Sequence, residues 1–163
     1  MELVNRCQAD WSRLSRHWNR FWFSPRTPES LCVIRILVGM LLIYAQFVWA
    51  LGSRSFFGPN SWLDHAAVSS IQPHWAAWSW IWMFDDTPVL IGLIHLLAIG
   101  NAVCLMLGVY TRVTAITGFL VFSAYAHRNP AALYGFDQVL GFVLLYLGIG
   151  NSGARWSVDA WSD

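Results

Sequence analysis

Four long apolar runs separated by short polar ends dominate this chain. Leu31 to Leu51 is interrupted by Arg35 and Gln46, and Val89 to Gly108 by His95 and Asn101. Val113 to Ala126 is shorter and carries Thr117 and Ser123; Ala131 to Gly150 carries the single carboxylate Asp137. A helix needs about 20 mainly apolar residues to cross a bilayer. Thr27-Pro28-Glu29 and Asp86-Thr87-Pro88 have the N-cap, proline and acid pattern of helix starts. The pattern therefore predicts an all-α fold, a multi-pass helical membrane bundle with spans near 28–51, 88–108, 112–127 and 131–150. The third and fourth spans should form an antiparallel pair.

Residues 1–26 read as a separate unit, and 27–163 as the bundle. At 100° per residue, Leu3, Cys7, Trp11, Leu14, Trp18, Phe21 and Trp22 share one stripe, and Arg6, Arg13, Arg16 and Arg20 lie opposite. That pattern predicts an amphipathic helix in the membrane interface, ended by Pro25. The stretch 52–87 is too polar to cross and too aromatic to float free. It predicts a turn at Phe56-Phe57-Gly58-Pro59-Asn60, a short surface helix from Trp62 to Ser70 capped by Ser61, and an interfacial belt of Trp75, Trp78, Trp80 and Trp82.

Composition sharpens the membrane reading. Charged residues make up only 12% of the chain, against about a quarter in soluble domains. Net charge is +1, which gives no footprint for nucleic acid. All basic residues are arginines. With the N-terminus in the cytoplasm, Arg6, Arg13, Arg16, Arg20, Arg26, Arg112 and Arg155 fall inside, and Arg54 and Arg128 outside. This asymmetry places both termini in the cytoplasm. Cys7, Cys32 and Cys104 are far apart and have no metal-ligand spacing, so no metal is expected.

The same topology sorts the polar residues by depth, at ~1.5 Å per helical residue. His95 and Asp137 each fall roughly 10 Å below the outer ends, with Gln46 at a similar level and Tyr125, His127 and Asn129 just above. These six form a candidate outer polar pocket. Arg35, Asn101, Thr117 and Tyr146 form a candidate inner cluster. A direct Arg35–Asp137 ion pair is disfavoured because the two lie on opposite sides of the midplane. Arg35 has the stem length to snorkel toward the nearer interface. A carboxylate and an imidazole at one depth fit a hydrogen-bonded clamp between helices, or else a proton relay.

One motif pair carries a family likeness. Arg128-Asn129-Pro130-Ala131-Ala132-Leu133-Tyr134-Gly135 precedes the rest of the fourth apolar run, and Arg155-Trp156-Ser157-Val158-Asp159 follows it. This arrangement resembles the membrane domain of vitamin K-dependent gamma-carboxylases and, more broadly, the horizontally transferred transmembrane domain family. Arg35 near the start of the first span fits as well. The resemblance implies a helical membrane bundle with Arg128, Asn129, Pro130, Tyr134, Gly135, Trp156, Ser157 and Asp159 as its motif residues. In the carboxylases it further implies oxidation of a vitamin K hydroquinone coupled to carboxylation of glutamate side chains.

Two departures separate this chain from that chemistry. A carboxylase has histidine directly after the asparagine matching Asn129, where this chain has Pro130, and His127 precedes the motif. The carboxylase base is a lysine downstream of the second motif, whereas this sequence has no lysine and stops at Asp163. The expectation is an N-terminal portion, or a shortened relative, of the longer family domain. It would sit in the lipid bilayer and bind a quinone or lipid between helices, without carboxylase activity of its own. The alternatives are a carboxylase-type enzyme completed by downstream sequence or a partner, a DoxX-like quinone-linked redox protein, and a non-enzymatic membrane immunity or sensor protein.

Overall fold

Glu29, an acid in the first turn, opens the longest helix, α1 (Glu29–Leu51). In this computed structural model the described residues are 29–57, 61–72, 78–84 and 87–162, with Arg13, Ser15 and Trp18. Those last three are helical and exposed; the rest of the predicted interfacial helix lies outside the described residues. After α1 come α2 (Ser53–Phe56), α3 (His65–Ile71) and a 3-10 turn at Trp80–Phe84. The second long helix, α4 (Pro88–Leu107), has Thr87 at its N-cap and Pro88 in its first turn. Then follow α5 (Thr111–Arg128), a 3-10 turn at Pro130–Ala132, α6 (Gly135–Ile149) and the short α7 (Asp159–Ser162). The fold is all-α, with no strand among the described residues.

The four long helices form a closed ring. α1 packs along α4, α4 against α5, α5 along α6, and α6 returns to α1. Gly39 sets the closest approach: a Cβ there would come within 2.7 Å of the Cβ of Met106, so a side chain would force α1 and α4 apart. The inner core is Val38, Leu42, Ala102, Leu105, Ala115, Phe122, Leu140, Leu144 and Leu147. Nearer the Leu51 end of α1, Phe57, Ile81, Ile91, Ala98, Ala124 and Tyr125 form a second layer. The outward faces are apolar too. Leu37, Phe47, Leu97, Leu120, Phe142 and Ile149 are all exposed.

Two helices, α1 and α4, are long and apolar enough to cross a membrane. α6 has 15 residues, about 22 Å of rise. It is shorter than the predicted 131–150 because Pro130–Ala132 closes a 3-10 turn and the helix restarts at Gly135. Asp137 accepts from the backbone N–H of Tyr134 at 2.7 Å, so it caps the first turn and is not an acid in mid-span. His95, seven residues into α4, lies about 10 Å from its start, and the two residues therefore do not share a depth.

Two features of the first outer loop also differ from the sequence reading. The surface helix begins at His65, and its cap is Asp64, which accepts from the N–H of Ala67 at 2.7 Å. The hydroxyl of Ser61 is turned instead to the carbonyl of Leu63. Within the tryptophan belt, Trp78 is exposed, but Trp82 faces inward and covers an arginine. Trp75 and residues 58–60 of the predicted turn lie outside the described residues.

Candidate functional site

At the Gly108 end of the bundle the chain leaves α6 without continuing as a helix, so its carbonyls need donors. Arg35 supplies them. It is fully buried; Nη1 donates to the carbonyl of Ser152 at 3.1 Å, and Nη2 to that of Trp156. Gly108 (φ 75) ends α4 in the left-handed region, and a Cβ there would overlap Nη1 of Arg35 and the Cβ of Ser157. Among the described residues, the two non-glycines with positive φ, Tyr110 and Trp156, belong to this knot. Each is held by it: Trp156 through its carbonyl, Tyr110 through an N–H donated to Asp159 at 2.8 Å. Arg35 thus turns toward the Gly108 end of the bundle, and its head is enclosed by protein. It does not join Asn101, Thr117 and Tyr146.

Asp159, from the same motif as Trp156 and Ser157, finishes the knot. Its carboxylate accepts from the N–H of Tyr110, the N–H of Thr111 and the Thr111 hydroxyl, the last at 2.7 Å. A residue 48 positions away therefore caps the start of α5. Burial acts to raise the Asp159 carboxyl, but the Thr111 and Tyr110 hydrogen bonds, aided by the charge of Arg35, outweigh it and leave the group below the usual carboxylate range. A depressed folded-state value means stabilisation that is complete above the unfolded value and is lost as pH falls through the folded one. Asp159→Ala should therefore cost about 1–2 kcal/mol at neutral pH, and the gap from wild type should begin to narrow below about pH 4, the unfolded value, and keep narrowing as pH falls toward the lower folded one. Thermal melts of both proteins from pH 7 to pH 3 measure this; a constant gap would contradict the capping role.

The opposite end of the bundle repeats the device with different partners. Arg128 is fully buried, with Nη1 donating to the carbonyl of Leu63 at 2.8 Å and Nη2 to the Ser61 hydroxyl at 3.1 Å. Its guanidinium lies 3.7 Å from the ring centre of Trp82, which also meets His65 edge-on. The hydroxyl of Ser79 donates to the carbonyl of Ala124 at 2.7 Å. Arg128 and Ser79 thereby fasten the loop between α1 and α4 over the bundle.

Beneath that lid, Gln46, His95 and Tyr125 do meet. Nδ1 of His95 is 3.2 Å from Oε1 of Gln46 and 2.9 Å from the Tyr125 hydroxyl. A proton on Nδ1 would serve Gln46; a proton on Nε2 would leave Nδ1 to accept from Tyr125. In either tautomer Nε2 is buried without a partner among the described residues. The contacts tie α1, α4 and α5 together, with Trp49 stacked on Tyr125 at 4.8 Å and Phe57 edge-on to His95 at 5.3 Å. This is a clamp, but Asp137 has no part in it. Of the inner cluster, only Asn101 and Thr117 pair, with the Thr117 hydroxyl donating to Oδ1 at 2.6 Å. Tyr146 faces outward.

The remaining outer residues border two separate cavities. One, of about 510 Å³, is lined by Trp49, Phe56, Trp62, Leu63, Asn129, Ala131 and Tyr134, among others. Asn129 is 6% exposed, and its side-chain amide has no hydrogen-bond partner among the described residues. The other, about 340 Å³, runs between α5 and α6 and includes His127 and Asp137. His95 borders neither. The proposed His95–Asp137 pair is thus not formed, as a clamp or as a relay. Sequence reading missed Trp49, Phe57, Trp82, Gly108 and Ser152, because an aromatic, a glycine or a backbone carbonyl carries no chemical signature in one dimension. Only Trp49 left a trace, one helical turn after Gln46.

No cluster of three or more His, Cys, Asp or Glu suited to a metal occurs among the described residues. Comparison with protein-family models, curated proteins and solved structures finds no match for this chain.

Proposed function

We propose that this chain is a multi-pass membrane bundle with four crossings and cytoplasmic termini, of the kind its two motifs resemble, and that the cavity at Asn129 receives the ring of a membrane-soluble quinone. The observation that carries the ligand reading is the unbonded amide of Asn129, nine-tenths buried at the edge of an aromatic-walled space. Buried amides ordinarily find partners, and a quinone carbonyl accepts the bond an amide N–H offers. About 510 Å³ is within the range of small-molecule sites. Trp49, Phe56, Trp62 and Tyr134 supply flat apolar surface for a ring. The crossing number is supported by the apolar outward faces of all four long helices and by the arginine asymmetry.

Carboxylation is not part of this reading. The motif residues Arg128, Trp156, Ser157 and Asp159 are occupied in holding backbone, and the sequence supplies no lysine base. The test is equilibrium binding of a short-chain naphthoquinone to the purified protein in detergent, with a photoactivatable analogue to mark the site. Asn129→Ala should weaken binding about three- to tenfold, the worth of one hydrogen bond. The label should map to Trp62 or to residues 129–134. Unchanged affinity in the variant, or label confined elsewhere, would sink the quinone site. Reporter fusions at Gly108 and Ser162 that read as external would sink the topology.

A further inference from the structure

The second outer cavity differs in shape and chemistry from the one at Asn129. It is a groove between antiparallel helices, floored by Phe119, Phe122, Gly141 and Leu145, with His127, Asp137 and Gln138 at one end. α5 and α6 run in opposite directions, so His127 and Asp137 share the outer end while Phe119 and Leu145 share the deep end. Each series spans eight residues, about 12 Å. The groove is therefore amphipathic along its length: polar at the level of the outer interface, apolar toward mid-membrane.

Its one carboxylate is only partly engaged. Oδ2 of Asp137 accepts from the Tyr134 N–H at 2.7 Å; Oδ1 has no hydrogen-bond partner among the described residues. Asp137 is half-buried, where low dielectric strengthens its pull on a cation. That charge selects among lipid heads: a phosphatidylglycerol or fatty-acid head would bring a second anion, whereas a primary ammonium is complementary and can donate to Oδ1. A choline head has the charge but no N–H to donate.

We infer that the α5/α6 groove binds one outer-leaflet aminophospholipid of the phosphatidylethanolamine type, with its ammonium on Asp137 and an acyl chain over Phe119 and Phe122. The site rests on the membrane placement proposed above but not on the quinone cavity, from which it is distinct. Gly141 provides the means to close it. A Cβ at that position would meet only the Phe119 ring edge at 3.9 Å, an ordinary contact. Alanine is thus accommodated, while leucine would project into the groove.

The experiment is native mass spectrometry of the full chain released from micelles doped with phosphatidylethanolamine, phosphatidylcholine or phosphatidylglycerol of matched acyl chains. The wild type should retain one phosphatidylethanolamine in preference to the other two. Asp137→Asn, which can still accept from the Tyr134 N–H, should reduce that preference about two- to fivefold, the effect of one partly solvated ion pair. Gly141→Leu should remove the bound lipid, and Gly141→Ala should keep it and report an intact fold. Chain-free glycerophosphoethanolamine should not compete. Equal retention of the three lipids, a preference for phosphatidylglycerol, an unchanged Asp137→Asn protein or competition by the chain-free head would each overturn the assignment. A null result for quinone binding would leave all of these outcomes readable.

Discussion

Arg35→Met should destabilise the protein by about 3–5 kcal/mol, the largest effect of any single substitution outside the apolar core. Arg35 is fully buried, and its two Nη groups donate to the carbonyls of Ser152 and Trp156. Methionine fills much of the stem volume but leaves the Trp156 carbonyl without this donor and the Ser152 carbonyl with only the weak thiol donor of Cys32 at 3.4 Å, at about 1–3 kcal/mol for each lost bond. The strained turn at Trp156 also loses its tether. Arg35→Lys should recover little, because one ammonium cannot reproduce the two-pronged reach of the guanidinium. Thermal melts in detergent, read by retention of monodisperse protein, measure both variants. A methionine variant melting with the wild type would show that the inner knot contributes nothing to stability.

The second large effect is expected at the opposite end. Arg128→Leu should cost about 2–4 kcal/mol, combining the desolvated stack on Trp82 with the lost bonds to Leu63 and Ser61. Its signature should differ from that of Arg35. Arg128 holds a loop over the bundle, while the four long helices pack on one another without it. Amide exchange should therefore rise first in α3 and in the 3-10 turn at Trp80–Phe84, with α1 and α4 still protected. Simultaneous loss of protection in all elements would mean that the lid and the bundle form one cooperative unit.

These two arginines give the motifs a physical meaning. A segment that leaves a helix near an apolar environment exposes carbonyls that water cannot reach, and a guanidinium is the side chain best able to serve several at once. Arg35 does this for 152–156 and Arg128 for 61–63. Asp159 performs the complementary task for orphan N–H groups at the start of α5. Arg128 and the 156–159 segment thus close the two ends of the bundle.

The all-α class and the approximate positions of the four long helices were legible in the sequence, because apolar run length and the Thr87-Pro88 start act locally. The pairing of α5 with α6 followed from the short connection between them. Depth arithmetic also placed Gln46, His95 and Tyr125 close together, since helical rise is a constant of the backbone. It failed for Asp137 for a local reason: Pro130–Ala132 takes up a 3-10 turn, which moves the start of α6 to Gly135 and makes the acid a cap. Which way each side chain faces was decided only when the helices packed. Packing separates His95 from Asp137, turns Trp82, which composition assigned to the interface, onto Arg128, and leaves Tyr146 facing outward. A sequence records spacing along each helix, but the azimuth of one helix against another comes from close contacts such as Gly39 on Met106, made between residues far apart in the chain.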